Sequence, residues 1–227
     1  MQNESPLVHL VRQPGIRPES ADARPPLVIL LHGVGANELQ MSAIAPAFDP
    51  RCVVVSVRSP IVMGPSSFAW FHVRFTADGP VIVEREAIDA WRRVAAFAEE
   101  AAELYEADPG RVYVGGFSQG GIIGVASLLA DPERFAGAFS MSGRLLPEVL
   151  AHTSAERVAG KPVLIVHGEH DDKLGVHLAR WARERLEERG LAVTYREFPM
   201  GHEITRESLR EVTSWLTRQL DVSSPIA

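Results

Sequence analysis

Short unbroken apolar runs alternate along this chain with longer stretches in which apolar residues recur every three or four positions. The runs are LVHLVR (7–12), LVILLHG (27–33), CVVVSV (52–57), RVYVGGF (111–117), FAGAFSMSG (135–143), KPVLIVHG (161–168) and LAVTYREF (191–198). Most are rich in Val, Ile and Leu with little alternation, the pattern of strands buried on both faces. Between them lie helical spacings. Asn37 can cap a helix holding Leu39, Met41, Ile44 and Phe48. From Glu84, a stripe of Ile88, Trp91, Val94, Ala95, Ala98, Ala102 and Tyr105 runs to a stop at Asp108-Pro109-Gly110. QGGIIGVASLLA (119–130) reads as a third helix, and Leu174, Leu178, Trp181 and Leu186 mark a fourth that ends at Gly190. Leu209, Val212, Trp215, Leu216 and Leu220 stripe the last. Residues 59–83 show no clear period and read as a long excursion. Strand–helix alternation of this kind predicts an α/β fold, a mainly parallel central sheet covered by helices. No repeat, low-complexity tract or linker interrupts it, so one domain over 1–227 is expected.

Composition narrows the setting. The 227 residues are 46% hydrophobic and 23% charged, an ordinary globular balance with enough chain for a substantial core. The formal net charge is −6 and no dense Lys/Arg cluster occurs, which argues against a nucleic-acid partner or a basic membrane-binding patch. Cys52 is the only cysteine, so no intramolecular disulfide can form and a reducing compartment fits. The start, MQNESPLVHLVRQPG, lacks the pattern of a secretory signal, and no apolar run approaches a bilayer span. A soluble, cytoplasmic protein without integral membrane association is the expectation.

The chemistry centres on Ser118. In GFSQG (116–120) it stands between a predicted strand and a predicted helix, at the strand end where parallel sheets carry their sites. A tight strand-to-helix turn leaves room only for very small side chains two residues either side of its apex, and Gly116 and Gly120 supply them. The turn lifts the hydroxyl clear of the sheet, with a helix N-terminus behind it. The pentapeptide alone is weak, and a capping serine at a small-residue junction would look the same. Its context is stronger. A serine nucleophile needs a base, and the base needs an orienting acid. Asp171 and Asp172 lie just past the strand ending at His167-Gly168, and His202 follows the last strand in FPMGHEIT. The order Ser118, Asp171, His202, each in a loop after a strand, is that of the α/β-hydrolases. The tetrahedral oxyanion of such a reaction needs donors. The N–H of Gln119 is one candidate, and the N–H of Val34, in the Gly-rich loop LLHGVGANE, is the second.

Rival readings are few. Of the other histidines, His177 falls on a helix, His9 precedes the core elements and His152 lies in an irregular stretch. His32 and His167, each before a glycine at a strand end, are better placed to brace loops. HGEHDD could be a metal cluster of His167, His170 and two aspartates, but no distant ligand set completes it. Asp172 competes with Asp171 as the acid.

Together, LLHGVGANE, GFSQGG, HGEHDD and GHEI resemble, in order and separation, the signature segments of the small carboxylesterase/acyl-protein thioesterase group of α/β-hydrolases. AWF (69–71) resembles its loop motif, and the likeness extends from about Pro25 to Leu220. It implies an α/β-hydrolase fold with no large cap domain, Ser118 as nucleophile, Asp171 as acid, His202 as base, and backbone donors at Val34 and Gln119. It also implies hydrolysis of a small-molecule ester or thioester with no cofactor and no metal. Two departures stand out. Asp-Lys-Leu-Gly follows Asp171 where the family usually carries Pro-Val-Val-Pro or similar, and His72 stands where an acidic residue is frequent. The excursion, with Ile61, Met63, Trp70, Phe71 and Phe75, is the expected source of an apolar acyl pocket, Met63, Trp70, Phe71 and Phe75 being the candidate substrate contacts. A serine esterase for small to medium acyl chains is the leading expectation. A thioesterase for acyl-proteins or lysophospholipids, a peptide-cleaving enzyme and a catalytically silent binding protein are the alternatives, and a homodimer is compatible with any of them.

Overall fold

The computed structural model describes residues 7–16, 23–76 and 79–222. In chain order the elements are β1 (His9–Arg12), β2 (Leu27–Leu31), α1 (Glu38–Ile44), β3 (Val53–Val57), β4 (Ile61–Gly64), β5 (Ser67–Ala69), β6 (Val73–Thr76), β7 (Gly79–Ile82), α2 (Glu84–Leu104), β8 (Val112–Phe117), α3 (Gln119–Ala130), β9 (Gly137–Met141), α4 (Ala155–Val158), β10 (Pro162–Gly168), α5 (Val176–Glu187), β11 (Ala192–Phe198) and α6 (Arg206–Val222). A seven-stranded sheet runs in the order β1-β3-β2-β8-β9-β10-β11. Every neighbouring pair is parallel except β1 with β3, where His9 faces Val57 at an antiparallel edge.

The continuous apolar runs follow from helices covering both faces. Along β2, Leu27, Ile29 and Leu31 pack into a core shared with Trp91 of α2, Ile123 of α3 and Leu186 of α5. Val28 and Leu30 point the other way, into a second core with Met41 of α1 and Val212, Trp215 and Leu216 of α6. Successive strand residues face opposite sides, so a strand covered on both sides has no polar position to alternate with. Burial of each such side chain contributes about 1.5–3 kcal/mol. Asn37 caps α1 as its sequence position implies, its side chain accepting from the Leu39 N–H at 3.0 Å.

The excursion holds two antiparallel ribbons, β4 with β5 and β6 with β7, that periodicity does not reveal. These strands are only three or four residues long and lie outside the main sheet, too short for an alternating pattern to register.

The closest approach in the sheet lies where β8 turns into α3. A Cβ placed on Gly116 or on Gly120 would overlap the Leu31 carbonyl of β2. The two glycines therefore make room for the neighbouring strand's backbone, beyond the mutual crowding expected of a tight turn. Gly116→Ala should destabilise the fold by about 3 kcal/mol or more, since backbone rather than a movable side chain is in the way. Urea unfolding measures this, and a loss below about 1 kcal/mol would mean that β8 can slide from β2 without cost.

Candidate active site

Ser118 joins β8 to α3 with φ 53° and ψ −118°, a conformation that a residue with a side chain adopts only under constraint. The constraint comes from both neighbours. The Ser118 N–H donates to the Met141 carbonyl of β9 at 2.8 Å, and its carbonyl accepts from the Ile122 N–H at 3.0 Å. Although Ser118 holds the N-cap position, its side chain makes no capping bond to α3. The hydroxyl turns instead to His202, with Oγ 2.9 Å from Nε2.

His202 lies in the turn between β11 and α6, with its ring 4.9 Å from that of Phe117 between centroids. Its other nitrogen, Nδ1, donates to Asp171 Oδ2 at 2.7 Å. A carboxylate can only accept, so this bond leaves Nε2 free to accept the Ser118 proton. Gly168, at the end of β10, lets the two loops meet, because a Cβ there would overlap the Met200 carbonyl.

The choice between the two aspartates has a clear geometric answer. Asp171 is buried and its Oδ1 accepts the N–H groups of Lys173 and Leu174 at 2.9 and 2.8 Å, which fixes the direction of the other oxygen. The Asp172 side chain is 73% exposed and, among the described residues, bonds to the Lys173 ammonium alone, at 3.3 Å. His167 is buried beneath, donating through Nε2 to the Leu174 carbonyl at 2.6 Å. His170 is exposed, and among the described residues no group of three or more His, Cys, Asp or Glu is arranged to hold a metal ion.

The loop after β2 reaches over the serine. A Cβ on Gly33 would lie 3.3 Å from the Ser118 Cβ, and Gly35 takes φ 82° so that its N–H can donate to Phe68 at 2.8 Å. Among the described residues the N–H groups of Val34 and Gln119 have no protein acceptor; Gln119 opens α3, where such groups are normally unfilled. The Gln119 side chain is engaged. It accepts from the Trp70 N–H at 2.8 Å and donates to the Phe71 carbonyl at 2.7 Å, tying the excursion to the residue after Ser118.

A cavity of about 280 Å³ opens on Ser118 and His202. Phe71, Val73, Pro80, Ile82, Ile122 and Leu174 give it an apolar wall. Phe71 is one of these wall residues. Trp70 is not: it is buried beneath the wall, with Nε1 donating to the His32 carbonyl at 2.9 Å, because an indole buried this deeply needs an acceptor and finds one in the loop after β2. Met63 is 48% exposed on the β4–β5 ribbon, outside the lining, and Ile61 is outside it too. The Phe75 side chain lies outside the described residues. The β6–β7 ribbon, Lys173, Leu174 and Arg144 were missed. Position just past the end of β9 was a signal for Arg144; the ribbon had none. His72 is exposed and pairs through Nδ1 with Glu86 at 2.9 Å.

Residues 16–220 match the sequence model of the phospholipase/carboxylesterase family. The chain is 29% identical over 162 residues to carboxylesterase SOBER1 of Arabidopsis thaliana, covering 69% of this chain and 70% of that one. It is 26% identical over 211 residues to acyl-protein thioesterase 1 of Kluyveromyces lactis, covering 86% and 92%. The crystal structure of a Bacillus cereus carboxylesterase shares the fold, with a TM-score of 0.76 at 24% identity over 96% of this chain and 97% of that one.

His32 and His167 are buried beneath the loops that carry Val34 and Asp171, and burial holds both below the usual histidine range. His32 is locked neutral: Nδ1 donates to the Gly33 carbonyl at 2.7 Å and Nε2 accepts from the Ser59 N–H at 3.0 Å. The unfolded chain takes up these protons first as pH falls, so the stability they contribute is complete above the ordinary histidine range and is lost on acidification below it. The melting temperature should therefore fall between about pH 7 and pH 5, and His32→Asn should flatten that fall. An unchanged slope in His32→Asn would show that His32 carries none of it.

Proposed function

This chain belongs to the phospholipase/carboxylesterase family and is a carboxylic ester hydrolase of that family, and we propose that it works through an acyl-enzyme formed on Ser118. Ser118 Oγ attacks the ester carbonyl carbon while its proton passes to His202 Nε2, and Asp171 stabilises the imidazolium that results. The carbonyl oxygen becomes an oxyanion that takes up the two open N–H groups, of Val34 and Gln119. Collapse of this intermediate expels the alcohol, which leaves with the proton from His202, and the acyl group stays on Ser118. A water then gives its proton to His202 and attacks the acyl carbon. The free acid departs and the serine is restored.

The observation that supports this reading most is the continuous line of contacts, 2.9 Å from Ser118 to His202 and 2.7 Å from His202 to Asp171, at the mouth of an apolar cavity. The cavity suits small to medium acyl chains, and the same steps would cleave a thioester. Among the described residues no helix is long and apolar enough to cross a membrane. A cytoplasmic setting accords with the free, buried Cys52, whose thiol burial pushes up to about 12.

Ser118→Ala should lower kcat on p-nitrophenyl esters by about 10⁵–10⁶ with the melting temperature little changed. Asp171→Asn should cost about 10⁴, whereas Asp172→Asn should stay within about threefold of wild type, because only Asp171 reaches the histidine. A larger loss in Asp172→Asn would reverse the assignment of the acid.

Acyl-chain length tests the pocket separately. Each methylene buried against the wall contributes about 0.8 kcal/mol, roughly fourfold in kcat/KM, until the cavity is full. Phe71→Ala should change this dependence more than it changes the rate on acetate esters. A uniform loss at every chain length would assign Phe71 to core packing.

A further inference from the structure

Arg144 differs from the arginines of this protein that hold a carboxylate. Arg51, Arg58, Arg134, Arg157 and Arg180 each hold a carboxylate in an ion pair. Arg144 pairs with no carboxylate among the described residues, and its hydrogen bond from Nη1 to the Leu145 carbonyl is a long one, at 3.4 Å. It is nevertheless half-buried and lines the cavity over Ser118. Glu148 acts on it only through space, and burial prevails, holding the guanidinium below its ordinary range. Among the described residues no Asp or Glu lines the cavity. Lys173 does, but its side chain is 61% exposed at the rim and its ammonium meets Asp172. Among the described residues the cavity therefore combines an apolar wall with a partly desolvated cation, Arg144, that no carboxylate compensates.

Leaving such a cation unpaired costs free energy that a bound anion would offset. A planar guanidinium fits one carboxylate through two parallel N–H bonds, and its single charge balances a single carboxylate better than a doubly charged phosphate. The position indicates which side of the scissile bond is read. The leaving group must stand against His202, which protonates it. Arg144 follows Gly143, where a Cβ would lie 3.3 Å from the Ser118 carbonyl and 3.2 Å from the Ile122 N–H, so this turn packs against the serine and the start of α3. We propose that Arg144 binds a carboxylate on the acyl part of the substrate, making half-esters or half-thioesters of short dicarboxylic acids the preferred substrates. This rests on the acyl-enzyme reading above.

The test compares mono-p-nitrophenyl glutarate with p-nitrophenyl hexanoate, which match in approximate length and share a leaving group. Wild type should show the higher kcat/KM on the glutarate ester. The ratio of the two constants should fall at least about tenfold in Arg144→Met, the scale of one charge-assisted bond, and recover in part in Arg144→Lys. Free glutarate should inhibit hexanoate hydrolysis competitively, and at least about tenfold less well in Arg144→Met. An unchanged ratio in Arg144→Met, or a wild type that favours hexanoate by tenfold, would overturn the proposal while leaving the Ser118 chemistry standing. If neither ester is cleaved, the acyl-enzyme reading fails first. Calorimetric titration of glutarate into wild type and Arg144→Met then still decides whether Arg144 binds a carboxylate.

Discussion

The Leu31 carbonyl of β2 lies against the turn at Ser118 so closely that neither Gly116 nor Gly120 could carry a side chain. That approach forces the chain through φ 53° at the serine, and the bonds from Met141 and Ile122 hold it there. The strain, of the order of 1–3 kcal/mol, is sustained because β8 is paired on both sides by parallel strands and cannot relax. The same contact brings the loop after β2 across the serine. The proposed nucleophile and its proposed oxyanion donors are thus set by one backbone packing event, and the position of one cannot drift without the other.

The proposed acid and base depend on a second close approach. Gly168 brings the loop after β10 against Met200, so Asp171 and His202 meet although they come from different strands. Asp171 spends one oxygen on two backbone N–H groups, which rigidly directs the other at the imidazole. Below these loops His32 and His167 act as struts, bonded to the Gly33 and Leu174 carbonyls. Histidine suits that position because one ring can donate and accept in fixed directions, as His32 does between Gly33 and Ser59.

What the sequence revealed, and what it concealed, follow from these same contacts. Buried parallel strands read as apolar runs, and the loops at their carboxyl ends are the places to look for chemistry. Ser118, Asp171 and His202 could be named on that basis before any distance was known. Burial could separate Asp171 from Asp172 only in three dimensions, since both stand in the same acidic pair. The pocket wall was harder. Trp70 and Phe71 are adjacent aromatics, yet one is buried under the other's wall, a difference of side-chain direction that residue type does not encode. The β6–β7 ribbon contributes Val73, Pro80 and Ile82 from strands of four residues, too few for any period.

That ribbon matters because it supplies Val73, Pro80 and Ile82 to the cavity wall. It is held at several points: the Val83 N–H donates to the His72 carbonyl at 3.1 Å, Glu86 of α2 accepts from the His72 N–H at 2.7 Å, and Gln119 clamps the backbone at Trp70 and Phe71. Gln119 thereby acts in two ways. Its main-chain N–H faces the reacting oxygen in the proposed mechanism, and its side-chain amide satisfies two buried backbone groups that would otherwise cost about 1–3 kcal/mol each. A longer, unbranched amide is needed to span both groups from the first turn of α3, which aspartate or asparagine could not reach. The residue after the proposed nucleophile therefore couples the cavity wall to the turn that carries Ser118.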